Sequence, residues 1–102
     1  MGHRIERYLR YHKQKAERSG QTWLLLDQEA RTLLASDCHY CGLPVIPGNP
    51  CLLDVADPAL GFTPNNSRAT CLSCHIALNQ KGSEGEFVQW ARDVVSTMKH
   101  VR

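Results

Sequence analysis

The sequence lacks the features that would place a protein in a membrane or send it out of the cell. It contains no run of eighteen apolar residues, which excludes a transmembrane helix. Met1 is followed by a charged, helix-like stretch and not by a signal peptide. No internal repeat is present, so a repeat architecture is excluded as well. We therefore expect a soluble, intracellular protein, and these absences leave its compartment open.

Large aromatic residues are few, and the cysteines cannot all pair with one another. Two Trp, three Tyr and two Phe in 102 residues allow one domain, residues 1–102, with a small core. Scaffolds of this size usually need a further cross-link. Five cysteines disfavour a secreted disulfide framework and favour four metal ligands with one spare. The spare is Cys51, which we interpret as a buried strand residue, with a fifth ligand or a reactive thiol as the alternatives.

A strong net charge is also absent, but the charge is unevenly distributed. Twelve basic against ten acidic residues give +2, and four thiolates binding Zn²⁺ would bring this to about zero. Residues 1–18 nevertheless carry six basic and two acidic side chains. This asymmetry favours a helix that faces a polyanion, although a solvated basic face is the simpler alternative. The predicted phosphate contacts are Arg4, Arg7, Arg10, His12, Lys13, Arg68 and Lys81.

Hydrophobic spacing predicts four helices and two strands. The helices cover residues 1–20, 27–35, 72–79 and 83–100, and the strands cover residues 51–55 and 68–71. We expect Asp27 to cap the second helix, and Ser83 with Glu86 to form a capping box at the last one. The Gly- and Pro-rich residues 42–50 indicate a loop or the arm of a zinc ribbon. The last helix carries an apolar stripe that we predict to be core: Phe87, Trp90, Ala91, Val94, Val95 and Met98.

Two C-x-x-C motifs are the most specific feature of the chain. Cys38 and Cys41 form the first motif, Cys71 and Cys74 form the second, and 29 residues separate the two. Each motif places two thiolates within reach of one tetrahedral ion, and a single ion with bonds of about 2.3 Å would hold the two motifs together. Because the cysteines would then fill all four positions, the ion would be structural zinc.

Further motifs lie in register with these cysteines. They are Cys38-His39-Tyr40-Cys41-Gly42, Asp54 with Asp57, Gly61-Phe62-Thr63, Asn66, Cys71 to His75, and Phe87 with Trp90. In this order the sequence resembles, over nearly its whole length, the zinc-stapled HNH endonucleases of phages and large DNA viruses. The resemblance implies an α+β fold in which residues 38–82 form a zinc-ribbon-supported ββα-metal module. The basic N-terminal helix (1–20) and the last helix (83–100) would flank this module.

The resemblance also implies roles for single residues. Asp54 and His75 would bind a second divalent ion, Mg²⁺ or Mn²⁺, and Asn66 would hold the loop or orient the base. In such enzymes the residue after the metal-binding Asp is commonly the general-base His. Here that residue is Val55, which cannot take a proton. The nearest replacements are Asp57 and His39.

Three functions fit these motifs. The first is an HNH-like protein that binds DNA or RNA through the backbone and whose cleavage is weakened or lost because the base is missing. Such a protein could be a subunit of a larger nucleoprotein assembly. The second is an active divalent-metal-dependent endonuclease that nicks DNA. The third is a zinc-stapled protein-interaction module, for which the near-neutral charge of the metal-loaded protein is the main argument.

Overall fold

The computed structural model describes the backbone of residues 2–45 and 51–101, and the side chains of residues 4–45 and 51–97. In chain order the elements are α1 (Gly2–Arg18), α2 (Asp27–Leu34), β1 (Leu52–Val55), β2 (Ser67–Thr70), α3 (Leu72–Lys81) and α4 (Glu84–Val101). This is the predicted α+β architecture, with one antiparallel hairpin and helices before and after it. Part of the predicted loop, residues 46–50, lies outside the described residues. Within the described residues, no helix is long and apolar enough to cross a membrane.

The core joins α1, α2 and the hairpin. Leu9 and Ala16 of α1, Ala30 and Leu34 of α2, and Leu53 of β1 are buried in one cluster. Full burial of a Leu side chain contributes about 1.5–3 kcal/mol relative to exposure. The cluster therefore holds β1 against α1.

The residue that caps α2 differs from the predicted one. Leu26, not Asp27, is the residue before the helix, and its N–H donates to Glu29 Oε1 at 2.8 Å. A glutamate in the third helical position satisfies this amide as it does in a capping box. Asp27 lies in the first turn, where a carboxylate suits the helix dipole. The prediction that Asp27 is the cap is wrong.

The junction between α3 and α4 follows the predicted signals. α3 ends at Lys81, directly before Gly82. Ser83 precedes α4, and its Oγ accepts the Glu86 N–H at 3.4 Å. Ser83 therefore acts as the predicted N-terminal cap of α4, but no hydrogen bond among the described residues joins Ser83 N–H to the Glu86 side chain, so only half of the predicted capping box is formed.

The apolar stripe of α4 is only partly buried. Phe87 is 6% exposed and packs edge-on against Tyr40, with 5.0 Å between the ring centroids. Further along the helix, Trp90 is 41% exposed and Val95 is 52% exposed. Met98 lies outside the residues whose side chains are described. The prediction that the whole stripe is core is wrong, because helical spacing selects a face and does not supply an element to cover it.

Gly61 is the tightest point of the turn between the strands. Its φ is +72°, and the next residue, Phe62, donates its N–H to Thr22 O at 2.8 Å. A Cβ at position 61 would lie 2.7 Å from the same carbonyl oxygen. Glycine is therefore required here both by the backbone conformation and by the close approach of the segment before α2.

Gly61→Ala should lower the free energy of unfolding by about 2–5 kcal/mol, because a strained backbone and a steric clash add together. Gly20→Ala is the matched control, since Gly20 has the same φ of +72° but nothing within 4 Å of an added Cβ. The control should cost only about 1–2 kcal/mol. Urea unfolding of the metal-loaded proteins measures both values, and equal losses would contradict the close packing at Thr22.

Candidate metal centres and the cleft beside them

Four cysteine sulfurs lie together in the structure. Their Sγ atoms are all within 4.8 Å of one another, and they belong to Cys38, Cys41, Cys71 and Cys74. Cys41 Sγ lies 3.7 Å from Cys71 Sγ. In a tetrahedral site with metal–sulfur bonds of about 2.3 Å, the sulfurs are about 3.8 Å apart. The donor set and its spacing therefore fit one metal ion with four protein ligands.

Backbone hydrogen bonds position these sulfurs. Gly42 N–H donates to Cys38 O at 3.0 Å and closes the first knuckle. His39 N–H donates to Ala69 O at 2.8 Å and ties that knuckle to β2. Cys71 is the residue before α3, so the second knuckle occupies the start of that helix. The hairpin thus brings the two motifs together.

The fifth cysteine differs from Cys38 in its chemistry. Burial raises the pKa of Cys38, but backbone hydrogen bonds, first among them one from Cys41, outweigh this and lower it to about 6. Burial raises the pKa of Cys51 to about 11, and its Sγ donates to Ser36 O at 2.9 Å. Cys51 lies outside the four-sulfur cluster and its protonated thiol is bonded to the backbone, so it behaves as a buried structural residue.

A second polar cluster lies beside the cysteines. His75 Nδ1 lies 2.7 Å from Asp54 Oδ2, and Asn79 Nδ2 donates to Asp54 Oδ1 at 3.1 Å. Thr70 Oγ1 donates to Asp54 Oδ2 at 2.7 Å. Asp54 is only 7% exposed, and a buried carboxylate is costly unless such partners surround it. The structure therefore brings the two predicted ligands, Asp54 and His75, into direct contact.

The same cluster offers atoms of the kinds that bind divalent cations. Carboxylate oxygen, imidazole nitrogen and amide oxygen are all donors that such ions accept. Adjacent ligands of an octahedral ion with bonds of about 2.1 Å lie about 3.0 Å apart. The 2.7 Å between Asp54 Oδ2 and His75 Nδ1 is close to this value. Asn79 contacts this pair through its amide nitrogen, which donates to Asp54 Oδ1 at 3.1 Å and to His75 O at 2.7 Å.

The cluster opens into a small cleft of about 100 Å³. Asp54, His75 and Asn79 form one side of it, and α1 forms another side with His12 and Lys15. The cleft is therefore made by the hairpin, α3 and the N-terminal helix together.

Position 55 lies at this cleft without a titratable group. Val55 lines the cleft and packs against the core. Neither predicted replacement is among the residues that line it. Asp57 is exposed and its Oδ1 accepts the Ala59 N–H at 2.9 Å, whereas His39 is half exposed and lies 4.0 Å from Glu84. Their locations disfavour both as a base for this cleft.

His12 is a further imidazole in the cleft, and it is not an exposed phosphate contact. It is 3% exposed, and its Nε2 accepts the Leu53 N–H at 3.3 Å. Burial lowers the pKa of His12 to about 4, so the ring is neutral at pH 7. A buried, neutral imidazole cannot bind a phosphate as a cation. The prediction for His12 is wrong.

Asn66 holds the turn between the strands. Its Oδ1 accepts the Asp57 N–H at 2.9 Å, and its Nδ2 donates to Asp57 O at 2.9 Å and to Gly61 O at 2.8 Å. Asn66 is buried and does not line the cleft. Of its two predicted roles, this geometry favours holding the loop.

The predicted phosphate contacts on α1 lie in two environments. Arg4, Arg7 and Arg10 are exposed. Lys13 forms an ion pair with Asp27 at 3.0 Å on the side that faces α2. The exposed arginines are accessible to a polyanion, while a phosphate would have to compete with Asp27 for Lys13.

Arg68 and Lys81 have partners within the protein. Arg68 Nε donates to Glu84 Oε1 at 2.9 Å, and Tyr40 Oη donates to the same oxygen at 2.8 Å. Burial raises the pKa of Glu84, but these two hydrogen bonds outweigh it and keep the pKa below its usual value. Lys81 Nζ lies 4.9 Å from the centroid of the Trp90 ring. Their roles as phosphate contacts stay predictions.

Two residues of the cleft, Asn79 and Lys15, were not predicted as site residues from the sequence. Asn79 follows His75 by four residues on a predicted helix, and this spacing places both on one side. The four-residue spacing could therefore have identified Asn79 as a neighbour of His75. Lys15 was one basic residue among six in its helix, and only its place in the cleft distinguishes it.

The hairpin, the helix that follows it and the four-cysteine cluster form a small α+β domain. Among solved structures, the chain is similar to the rare-cutting HNH restriction endonuclease PacI, with a TM-score of 0.69 and 15% sequence identity. The similarity covers 91% of this chain and 78% of the PacI chain. No protein-family model and no curated protein matches the sequence. At this identity the likeness shows the shared fold, which confirms the HNH-like architecture, while the phage and viral type stays a prediction.

Proposed function

We propose that this protein is an HNH-like nucleic-acid-binding protein with a structural zinc ion and a second divalent-metal site, and that it cleaves DNA slowly. The four cysteines would hold the zinc. Asp54, His75 and Asn79 would hold Mg²⁺ or Mn²⁺ in the cleft. The observation that carries the proposal is the 2.7 Å approach of His75 Nδ1 to Asp54 Oδ2 beside the cysteine cluster.

The chemistry follows from the residues of the cleft. A divalent ion bound there would polarise a phosphate and offset charge on the leaving oxygen. Thr70 fixes the orientation of the Asp54 carboxylate through its 2.7 Å hydrogen bond. Val55 cannot take a proton from water, and the acceptor nitrogen of His12 is already bonded to the backbone. Because a general base contributes a factor of about 10²–10⁴, we infer slow cleavage.

A fully active endonuclease is the second candidate. The contact between Asp54 and His75 supports it, since both predicted ligands lie together in the cleft. Water would then have to be activated by hydroxide from solution or by a group of the substrate. The two candidates differ in the rate of cleavage and not in the residues that bind the ion.

Supercoiled plasmid incubated with the protein and Mn²⁺ should be nicked slowly, and the nicking should disappear in Asp54→Ala and in His75→Ala, because each change removes a predicted ligand. Asp93→Ala is the matched control, since Asp93 is an exposed carboxylate on α4. It should nick at the wild-type rate. Nicking that survives both changes would come from a contaminating nuclease, and rapid nicking lost in both would favour the second candidate.

The salt dependence of binding by the same proteins distinguishes a nucleic-acid-binding function from a protein-interaction role. Affinity for duplex DNA or RNA should fall steeply as salt rises, because each neutralised phosphate releases counterions. A flat salt response, or no binding, would overturn the proposal and favour the interaction module. Comparing DNA with RNA of the same sequence identifies the substrate class.

A further inference from the structure

The two flanks of α1 carry different charges. On a helix, residues three or four positions apart lie on the same side. The flank that faces α2 contains Glu6 and Lys13, and both form ion pairs: Glu6 with Arg31 at 2.6 Å and Lys13 with Asp27 at 3.0 Å. This flank is therefore neutralised by its neighbour.

The opposite flank carries basic and aromatic side chains without an acidic residue. Its members follow one another at intervals of three or four residues and are all exposed: Arg4, Arg7, Tyr11, Lys15 and Arg18. Lys15 Nζ lies 5.9 Å from the centroid of the Tyr11 ring. At 1.5 Å per residue the flank is about 21 Å long, which matches the rise of roughly six nucleotides of one DNA strand.

This basic flank leads into the cleft. Lys15 lines the cleft together with Asp54, His75 and Asn79. His12, one turn before Ala16 on the buried side of α1, holds the helix to β1 through its hydrogen bond with Leu53. The position of Lys15 beside the Asp54 cluster is thus set by a packed contact and not by a mobile tail.

We propose that this flank of α1 is the binding track for one nucleic-acid strand, and that Lys15 binds the phosphate that lies at the Asp54–His75 site. The inference rests on the proposed function and names the residue that positions its substrate. A lysine ammonium is a compact point charge that suits a phosphate oxygen, and it carries no information about the base. The track would therefore bind without sequence preference.

A plot of the logarithm of the binding constant against the logarithm of the salt concentration has a slope that reports the number of phosphate contacts. Lys15→Gln should reduce the magnitude of this slope by about 1, the value for one phosphate contact. Arg31→Gln is the matched control: it removes the same charge, but from α2, where Arg31 pairs with Glu6. It should leave the salt dependence unchanged. Lys15→Arg keeps the charge and should keep the salt dependence.

A second measurement locates Lys15 at the cleft. At saturating DNA, the Mn²⁺-dependent nicking rate should fall at least about tenfold in Lys15→Gln, whereas Arg92→Gln, which removes a charge from an exposed position on α4 outside the track and the cleft, should leave the saturated rate unchanged. Equal effects of both changes on the saturated rate would overturn the assignment of Lys15 to the reacting phosphate.

The binding results distinguish this inference from the proposed function. Failure of the wild-type protein to bind any nucleic acid would overturn both. Salt-sensitive wild-type binding that Lys15→Gln leaves unchanged would overturn only the track on α1. Circular dichroism of each variant checks that it is folded.

Discussion

Val55→His should raise the Mn²⁺-dependent nicking rate by a factor of about 10²–10⁴, because it places an imidazole where HNH enzymes commonly carry their general base. Val55 already lines the cleft with Asp54 and His75, so the new side chain starts from a strand position beside the site. Single-turnover nicking of supercoiled plasmid measures the rate. A histidine base should also make the rate rise with pH around its ordinary pKa of about 6.5.

Two further variants test whether the gain comes from a base at this position. Val55→Gln introduces a polar side chain that takes no proton from water, and it should not accelerate nicking. Combining Val55→His with Asp54→Ala should abolish the gain, because the ion would no longer be held. If Val55→His folds and binds metal and DNA but nicks no faster, position 55 does not face the attacking water.

Removing the metal from the four-cysteine site should unfold the hairpin and α3. The hairpin consists of two strands of four residues each, and isolated two-stranded hairpins are marginal at best. Structural zinc in small domains binds with apparent free energies of about 10–16 kcal/mol, as large as the whole stability of a typical domain. Cys71→Ser or a chelator should therefore remove the cooperative thermal transition measured by circular dichroism.

Cys51→Ala provides the matched control for the loss of a cysteine. Cys51 is buried and bonded to Ser36 O, outside the four-sulfur cluster. This variant should retain one zinc ion per chain by elemental analysis and a cooperative transition, with a loss of roughly 1–2 kcal/mol for the missing sulfur. A wild-type transition in Cys71→Ser, or wild-type protein without a bound transition metal, would contradict the zinc assignment.

Short-range patterns predicted much of the fold. The C-x-x-C motifs and the strands depend on spacings of a few residues, so they can be identified before the fold is known. The predicted bounds of β1, β2 and α3 differ from the structure by one or two residues. The α+β, HNH-like architecture is confirmed. The catalytic roles of Asp54, His75 and Asn66 stay predictions.

The predictions that failed depended on neighbours distant in the chain. The α4 stripe is amphipathic, yet Trp90 and Val95 are exposed because no element of the described fold packs over them. His12 belongs to a basic helix by composition, but it turns inward to bond with Leu53. In both cases the local sequence pattern is present, but it does not specify which residues from other parts of the chain surround the side chain.

By itself, the sequence determined the two cysteine knuckles, the hairpin between them and the order of Asp54 and His75, because each depends on local spacing or chain order. Only the tertiary structure decided that α1 forms a wall of the cleft and that Lys15 lies there. The contact between His12 and Leu53 joins residues 41 positions apart. Such a contact arises from the way the buried side chains of α1 pack on β1, and helical periodicity alone does not specify which strand a helix will meet.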